Sequence, residues 1–215
     1  MKVNEIFCSI EGEGIRQGYL CTFVRFYGCN LNCSYCDSRY ACENGEYTEM
    51  SPEQIFDKIV EHGAKRVTLT GGEPLLQNTN ELVKVLTMLD DNDFKVNIET
   101  NGSVKIPVDV SALSTITMDW KSISSGESKK MFSDNIKHLY KDDVLKFVIG
   151  SKEDFNQMRE VIKTNNIMCH VFVSPVFGKI EPSEIVDMMK DAKLNNVRMQ
   201  IQIHKFIWDS DKRGV

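Results

Sequence analysis

Three cysteines, Cys29, Cys33 and Cys36, stand at a C-x3-C-x2-C spacing within eight residues. Thiolate sulfur is a soft donor suited to iron–sulfur clusters, zinc or copper(I). A four-iron cluster ordinarily takes four cysteines, and this motif supplies three. Unless a fourth thiolate arrives, one iron keeps an open coordination position and can act on a ligand as well as relay electrons. Structural zinc is the competing reading, but it needs a fourth ligand, and no histidine lies within a few residues of the motif. A disulfide is the third reading. It is disfavoured in an acidic chain with no signal-peptide pattern, for which a reducing cytoplasm is expected. Among the other cysteines, Cys8, Cys21 and Cys169 sit in apolar stretches and read as small buried hydrophobes. Cys42 is near enough in sequence to be a spectator or a fourth ligand.

Other residues of chemical interest lie along the chain. Glu11-Gly12-Glu13-Gly14 places carboxylates in a tight loop whose backbone can approach a ligand closely. Arg25 offers a planar fork that suits a carboxylate ligand, or an ion pair with a neighbouring glutamate. Asp37 and Ser38, directly after the last motif cysteine, are oxygen donors suited to a hard cation such as Mg²⁺, although Asp-Ser is also common turn chemistry. Gly71-Gly72-Glu73-Pro74 exposes backbone groups at a strand end, with Glu73 able to accept from an ammonium.

These residues need elements to position them, and the hydrophobic periodicity supplies a pattern. Strands are expected at 2–10, 20–26, 66–70, 95–99, 115–118, 144–149, 169–173 and 197–203. Ser51-Pro52-Glu53-Gln54 reads as N-cap, N1 proline and capping box. It opens a helix burying Ile55, Phe56, Ile59 and Val60. A second helix buries Leu82, Val83, Leu86 and Leu89. A weak helix is expected near 129–139. Ser151 caps a helix burying Phe155, Met158, Val161 and Ile162, and a last helix runs from Pro182 to about Ala192. Alternating strands and helices imply right-handed βαβ units and about six parallel strands. The fold class is therefore α/β, an open sheet or an incomplete barrel, with ligands at the carboxyl ends of the strands. Arg25, the cysteine loop, Gly71–Glu73, Glu99, Lys121, Ser174 and His204 all fall at or just past such ends.

Composition narrows the function. At 215 residues, with no linker, repeat or low-complexity stretch, residues 1–215 suit one domain. Charged residues at 27% and hydrophobic ones at 41% read as globular. A net charge of −5 gives no basic footprint for nucleic acid, and no apolar run is long enough for a membrane span. A small-molecule substrate is expected.

The C-x3-C-x2-C motif has an aromatic Tyr35 before its last cysteine and is followed by Gly71-Gly72-Glu73-Pro74. Together they resemble the signature of the radical S-adenosylmethionine (SAM) superfamily. The resemblance implies that the three cysteines hold a [4Fe-4S] cluster and that SAM chelates the fourth iron. Reduction then yields methionine and a 5′-deoxyadenosyl radical. Ser9–Gly14, Phe23-Val24-Arg25, Gly28–Leu31, Cys36-Asp37-Ser38 and Gln202–Lys205 occur in the order found in the 7-carboxy-7-deazaguanine synthase family, which nearly the whole chain resembles. Members convert 6-carboxy-5,6,7,8-tetrahydropterin to 7-carboxy-7-deazaguanine and ammonia by radical ring contraction, on the route to queuosine, with Mg²⁺ assisting and SAM regenerated.

Carried over residue by residue, the resemblance implies that Tyr35, Asp37, Gly72, Glu73, Asp119, Trp120, Lys121 and the segment Val173, Ser174, Pro175, Val176 line SAM. Ser38 would hold Mg²⁺. Ile10, Glu11 and Gly12 (chiefly by backbone), with Arg25, Thr70 and His204, would hold the substrate. Many members have Gln in place of Glu11. Residues 206–215 carry no assigned role. A homodimer and a flavodoxin- or ferredoxin-type electron donor are implied. Two alternatives stay open: a glycyl-radical-enzyme activase, and a binding domain that is stabilised by zinc or a cluster and catalyses nothing.

Overall fold

Ser51 accepts from the Gln54 amide and the Gln54 side chain returns to the Ser51 amide, so the capping box forms as its sequence dictates. The helix it opens is one of several that cover the outside of a single nine-stranded sheet in this computed structural model, which describes residues 1–43, 45–209 and 212–215. Along the chain come β1 (Lys2–Ile10), β2 (Leu20–Phe26), β3 (Thr48–Glu49), α1 (Pro52–His62), β4 (Arg66–Gly71) and α2 (Thr79–Asp90). Next are β5 (Lys95–Thr100), α3 (Val108–Leu113), β6 (Thr115–Trp120), β7 (Val144–Ile149) and α4 (Lys152–Thr164). The chain then forms β8 (His170–Pro175), α5 (Pro182–Asp191), β9 (Val197–Met199) and α6 (His204–Ile207).

The strand order is β3-β1-β2-β4-β5-β6-β7-β8-β9. From β2 to β9 all neighbours are parallel, while β1 pairs antiparallel with β2 and the two-residue β3 with β1. This is the expected incomplete barrel, with seven parallel strands and an antiparallel hairpin edge. Its gap is bridged by the 11–17 loop. Ile203 N–H donates to Gly12 O at 3.3 Å and the Gln17 amide to Ile201 O at 3.1 Å. Gln200 and Gln202 donate to the two oxygens of Glu13 at 3.0 and 2.5 Å.

These contacts explain why the expected strand 197–203 stops at Met199. Past that point Gln200 N–H still reaches Val173 O, but the Gln200 and Gln202 side chains turn onto Glu13 and the backbone from Ile201 onward bonds the loop. Nor does 129–139 form an α-helix; it is two short 3-10 turns, Ser128–Lys130 and Ser133–His138. Buried Asn135 accepts from Ile106 N–H and donates to Gly102 O and Val104 O, so tertiary bonds set the backbone there. On α1, Ile55 and Ile59 are buried, whereas Val60 is exposed. On α2 the buried stripe is Leu82, Val85, Leu86 and Leu89, with Val85 in the place expected for Val83. On α4, Phe155 and Met158 are buried, while Val161 and Ile162 are partly covered. Cys21 is buried, and Cys8 and Cys169 are half-buried. Two of the tail residues, Ser210 and Asp211, lie outside the described residues.

Successive strand residues point to opposite faces, and the two faces differ sharply here. Val67, Leu69, Val96, Ile98, Ile116 and Met118 pack into the apolar core beneath the helices. Their neighbours Thr68, Thr70, Asn97, Glu99, Thr117 and Asp119 face the other way and line a polar interior. The interior of a regular (β/α)₈ barrel is mostly filled by bulky branched side chains. In this one Thr68 bonds Glu11, Thr70 bonds Glu99 and Thr117 bonds Asn97.

Candidate active site

The cysteine loop leaves β2 and is pinned to the end of β4 by backbone. Gly72 N–H donates to Phe26 O at 3.0 Å, and Glu73 N–H to Gly28 O at 2.8 Å. A Cβ on Gly71 would lie 2.3 Å from Phe26 O, and one on Gly72 2.0 Å from Gly28 O. Gly71 also has φ +124°, a conformation open chiefly to glycine. The glycine pair therefore lets the two strand ends touch. The far side of the loop is tied to the segment after β6: Ser34 N–H donates to Ser125 O at 3.0 Å, Asn32 N–H to Glu127 at 2.9 Å, and Tyr35 shares a 3.0 Å bond with Ser122.

All seven cysteines are free. Cys29 Sγ accepts from Leu31 N–H at 3.4 Å and from the Asn101 amide at 3.6 Å. Cys42, through its bond to Ser38 O at 3.6 Å, is folded back against the motif. Its contact with Cys29 and Cys36 is the main reason both thiols are held down to about 6, against burial that works the other way. The same contacts push Cys42 itself upward. Burial also raises Cys33. Among the described residues, no group of three His, Cys, Asp or Glu side chains converges on a single-ion site. Cys29 and Cys36 biased toward thiolate, amide donors aimed at Cys29 Sγ, and a third free thiol at Cys33 fit the ligand chemistry of an iron–sulfur cluster.

Beside the loop, the polar interior opens at the carboxyl ends of the strands. Lys146 on β7 pairs with Glu13 at 2.5 Å and lies 3.9 Å from Asp119, which pairs with Lys121 at 3.0 Å. Burial opposes charge on both lysines. The surrounding carboxylates nevertheless lift them above the ordinary ammonium range: Asp119 for Lys121, and Glu13, Asp119 and Glu99 for Lys146. Glu11 shows the opposite balance. Burial, then the nearby Glu99, push its carboxyl up to about 8, and the bond from Thr68 offsets only part of this. Burial likewise raises Glu99.

Most residues anticipated from the sequence gather here. Gly12 lies under His204, whose Nδ1 would be 2.2 Å from a Cβ at that position. Asp37 faces Lys205 at 3.4 Å, and Ser38 Oγ lies 3.9 Å from Cys36 Sγ. Val173, Ser174 and Val176 are buried at the end of β8, where Val173 O accepts from Gln200 N–H. Of the five buried side-chain atoms without a hydrogen-bond partner among the described residues, two belong to the site, Asp119 Oδ1 and Trp120 Nε1. Such atoms normally find one, which leaves an acceptor and a donor for a ligand. Arg25, by contrast, takes the common structural use: its Nε bonds Glu5 at 2.8 Å, and Tyr40 bonds the same oxygen. Glu73 is completely buried, raised by burial to about 7, and already accepts from Leu75 N–H, Thr100 Oγ1 and Asn101 N–H. An ammonium would have to share those oxygens, so in this structure Glu73 braces the loop.

Sequence reasoning missed the Lys146–Glu13 pair as part of the site. A signal existed, because Lys146 is the one charge within Val144-Leu145-Lys146-Phe147-Val148-Ile149.

Comparison with known proteins agrees with this geometry. Residues 23–192 match the model of the radical SAM superfamily. The 7-carboxy-7-deazaguanine synthase of Clostridium acetobutylicum is 47% identical over all of this chain and 99% of that protein. The synthase of Chlorobaculum tepidum is 36% identical over all of this chain and 97% of its own. The crystal structure of QueE from Escherichia coli superposes with a TM-score of 0.77 at 22% identity, covering 94% of this chain and 93% of that one, which shows the shared fold. The chain therefore belongs to the radical SAM superfamily and, within it, to the 7-carboxy-7-deazaguanine synthase family.

Proposed function

We propose that residues 1–215 form one radical SAM domain that converts 6-carboxy-5,6,7,8-tetrahydropterin to 7-carboxy-7-deazaguanine and ammonia. The observation that carries this reading is the junction of a three-cysteine loop with a polar barrel interior, in a chain 47% identical to a synthase over its full length. Cys29, Cys33 and Cys36 would hold the cluster, which would supply the electron for reductive cleavage of SAM. The protein's own part is to place, orient and keep dry.

Gly72 backbone, Tyr35, Asp37, Asp119, Trp120, Lys121 and the buried Val173–Val176 strand end border the SAM side, with Trp120 Nε1 and Asp119 Oδ1 offering a donor and an acceptor. Glu73 supports that side by fixing Asn101. The substrate side is formed by the Ile10–Gly12 backbone with Thr70, His204 and the Arg25 stem. Ser38 with Asp37 would hold Mg²⁺, whose oxygen preference matches these donors. Buried Lys146 and Glu13 fix the charge pattern beneath the ring. The pair stays ionic in a largely buried setting, where its field is less screened than at the surface. A flavodoxin- or ferredoxin-type donor, a homodimer and a cytoplasmic setting complete the proposal.

Anaerobic reconstitution followed by incubation with the carboxy-pterin tests it. The expected result is 7-carboxy-7-deazaguanine by mass, with SAM persisting through many turnovers. Stoichiometric consumption of SAM without product would favour the activase, and a colourless zinc-loaded protein the binding domain. Undiminished activity and Mg²⁺ dependence in Ser38→Ala would remove the metal assignment.

A further inference from the structure

The barrel has a second mouth. At the amino ends of the strands, opposite the cysteine loop, lies a cavity of about 480 Å³ lined by Arg16, Tyr19, Arg66, Lys95 and Thr115 among others. Arg66, Lys95 and Thr115 are the first residues of β4, β5 and β6; Arg66 lies directly opposite Lys95 in the ladder, and Thr115 opposite Asn97, two residues further along β5. The volume falls within the range of small-molecule sites, roughly 300–1,000 Å³. None of Arg16, Arg66 and Lys95 forms an ion pair among the described residues. Two carboxylates, Asp90 and Asp142, also line the cavity, leaving a surplus of one positive charge in a chain whose formal net charge is −5.

Arg16 is the telling residue. It is half-buried, and burial lowers its pKa. Yet its Nη2 donates only to Thr115 Oγ1 and, at 3.5 Å, to Asp142 O. A guanidinium has five donors, so most of its capacity is unused. The Arg66 guanidinium carbon lies 3.9 Å from the Tyr19 ring centre, a cation–π contact. Glu11 and Asp143 act on Arg16 from a distance and favour its charge, but neither Arg16 nor Arg66 is locked in an ion pair, and such partly buried arginine forks are what recognise phosphate groups in two-pronged fashion.

We infer that this lower mouth is a second ligand site that takes a phosphate-bearing small molecule, held by Arg16, Arg66 and Lys95. It is separated from the reacting centre by the length of the strands. The inference does not rest on the proposed reaction, and the two can fail separately.

The test is calorimetric titration of the reconstituted full chain with inorganic pyrophosphate and, separately, with ATP, at low and high salt. Saturable binding is expected, weakened by salt. Arg66→Gln and Lys95→Gln should each weaken it about tenfold, the loss of one charge-assisted contact. Lys58→Gln, on the exposed side of α1, should leave it unchanged. Tighter binding of ATP than of pyrophosphate would identify a nucleotide as the ligand type, and equal binding a free phosphate compound. Arg16→Gln should weaken both most. Since Arg16 is half-buried, the Arg66 and the exposed Lys95 variants keep the test decisive if it fails to fold. No saturable heat with either anion would overturn the inference, as would equal binding by wild type and the Arg66 and Lys95 variants. So would an effect of these variants on dimerisation alone, which would make the mouth a contact between copies.

Discussion

The two faces of β4 answer to different chemistry. Val67 and Leu69 are almost wholly buried against helices, while Thr68 and Thr70, on either side of Leu69, carry hydrogen bonds to Glu11 and Glu99 in the interior. The same division runs through β5 and β6. The outward face buys the fold and the inward face holds the charges, so a single one-residue alternation encodes both. A substitution should therefore damage stability or chemistry according to which face it touches.

The largest separation is expected at the rim. Cys33→Ala should abolish the brown cluster and 5′-deoxyadenosine release, while far-UV circular dichroism and the thermal midpoint of the cluster-free protein stay close to wild type. Loss of the fold would show that the loop is structural first. Cys42→Ala tests the neighbour: if Cys42 is a bystander, the cluster's electron paramagnetic spectrum and its perturbation by SAM survive the change.

Inside the barrel, Lys146→Met should cost on the order of 3–5 kcal/mol, because it strands Glu13 as a buried carboxylate without its ammonium. Replacing both partners, as Lys146→Met with Glu13→Gln, should recover much of that stability but not activity. Urea midpoints and turnover measured on the same samples would separate the two, and a double variant no more stable than the single would sink the argument.

The face comparison itself is sharpened by two adjacent residues. Leu69→Ala should lose about 2–5 kcal/mol as a fully buried leucine removed from a packed core, with turnover per folded molecule largely kept. Thr70→Val conserves shape but withdraws the bond to Glu99. It should cost far less stability and reduce turnover instead. Equal losses from both would mean that the interior is simply more core.

Much of this arrangement is legible in the sequence because period and spacing are local properties. The Ser51 box, the strand-to-helix alternation and the three cysteines need only their own neighbours to be read. The glycine pair at 71–72 is legible as a close approach, though what it approaches, the Gly28 carbonyl, is not. What escapes is whatever distant residues decide. Asn135 ties down its own segment through residues 102–106, and the side chains of Gln200 and Gln202 turn onto Glu13. Nor does the sequence show that Arg25 also bonds Glu5 through Nε, or that Glu73 also accepts from Asn101 N–H. Lys146 shows the remaining limit: its position in an apolar strand marks it as unusual, but only the folded barrel identifies Glu13 as the reason it is tolerated.

The last expected effect concerns Glu11 and is read as a slope. Around it stand Glu99 from β5, Glu13 and Arg16 from its own loop, and Cys21 from β2, which bonds the same Thr68 hydroxyl. Its carboxyl is raised from 4.5 to about 8, by burial first. The folded protein therefore keeps a proton that the unfolded chain releases above 4.5. The stabilisation linked to that proton is full below 4.5 and is lost progressively as pH climbs to about 8. Glu11→Gln, neutral at every pH and nearly the same shape, should flatten this decline by up to about 1.4 kcal/mol per pH unit, the contribution of one proton. Glu73, raised to about 7, leaves a residual slope of the same sign in the variant. Urea midpoints taken across the interval read the difference directly. Identical slopes in wild type and Glu11→Gln would mean that Glu11 is already ionised in the barrel, held by Arg16, and that the interior carries one more negative charge than its burial suggests.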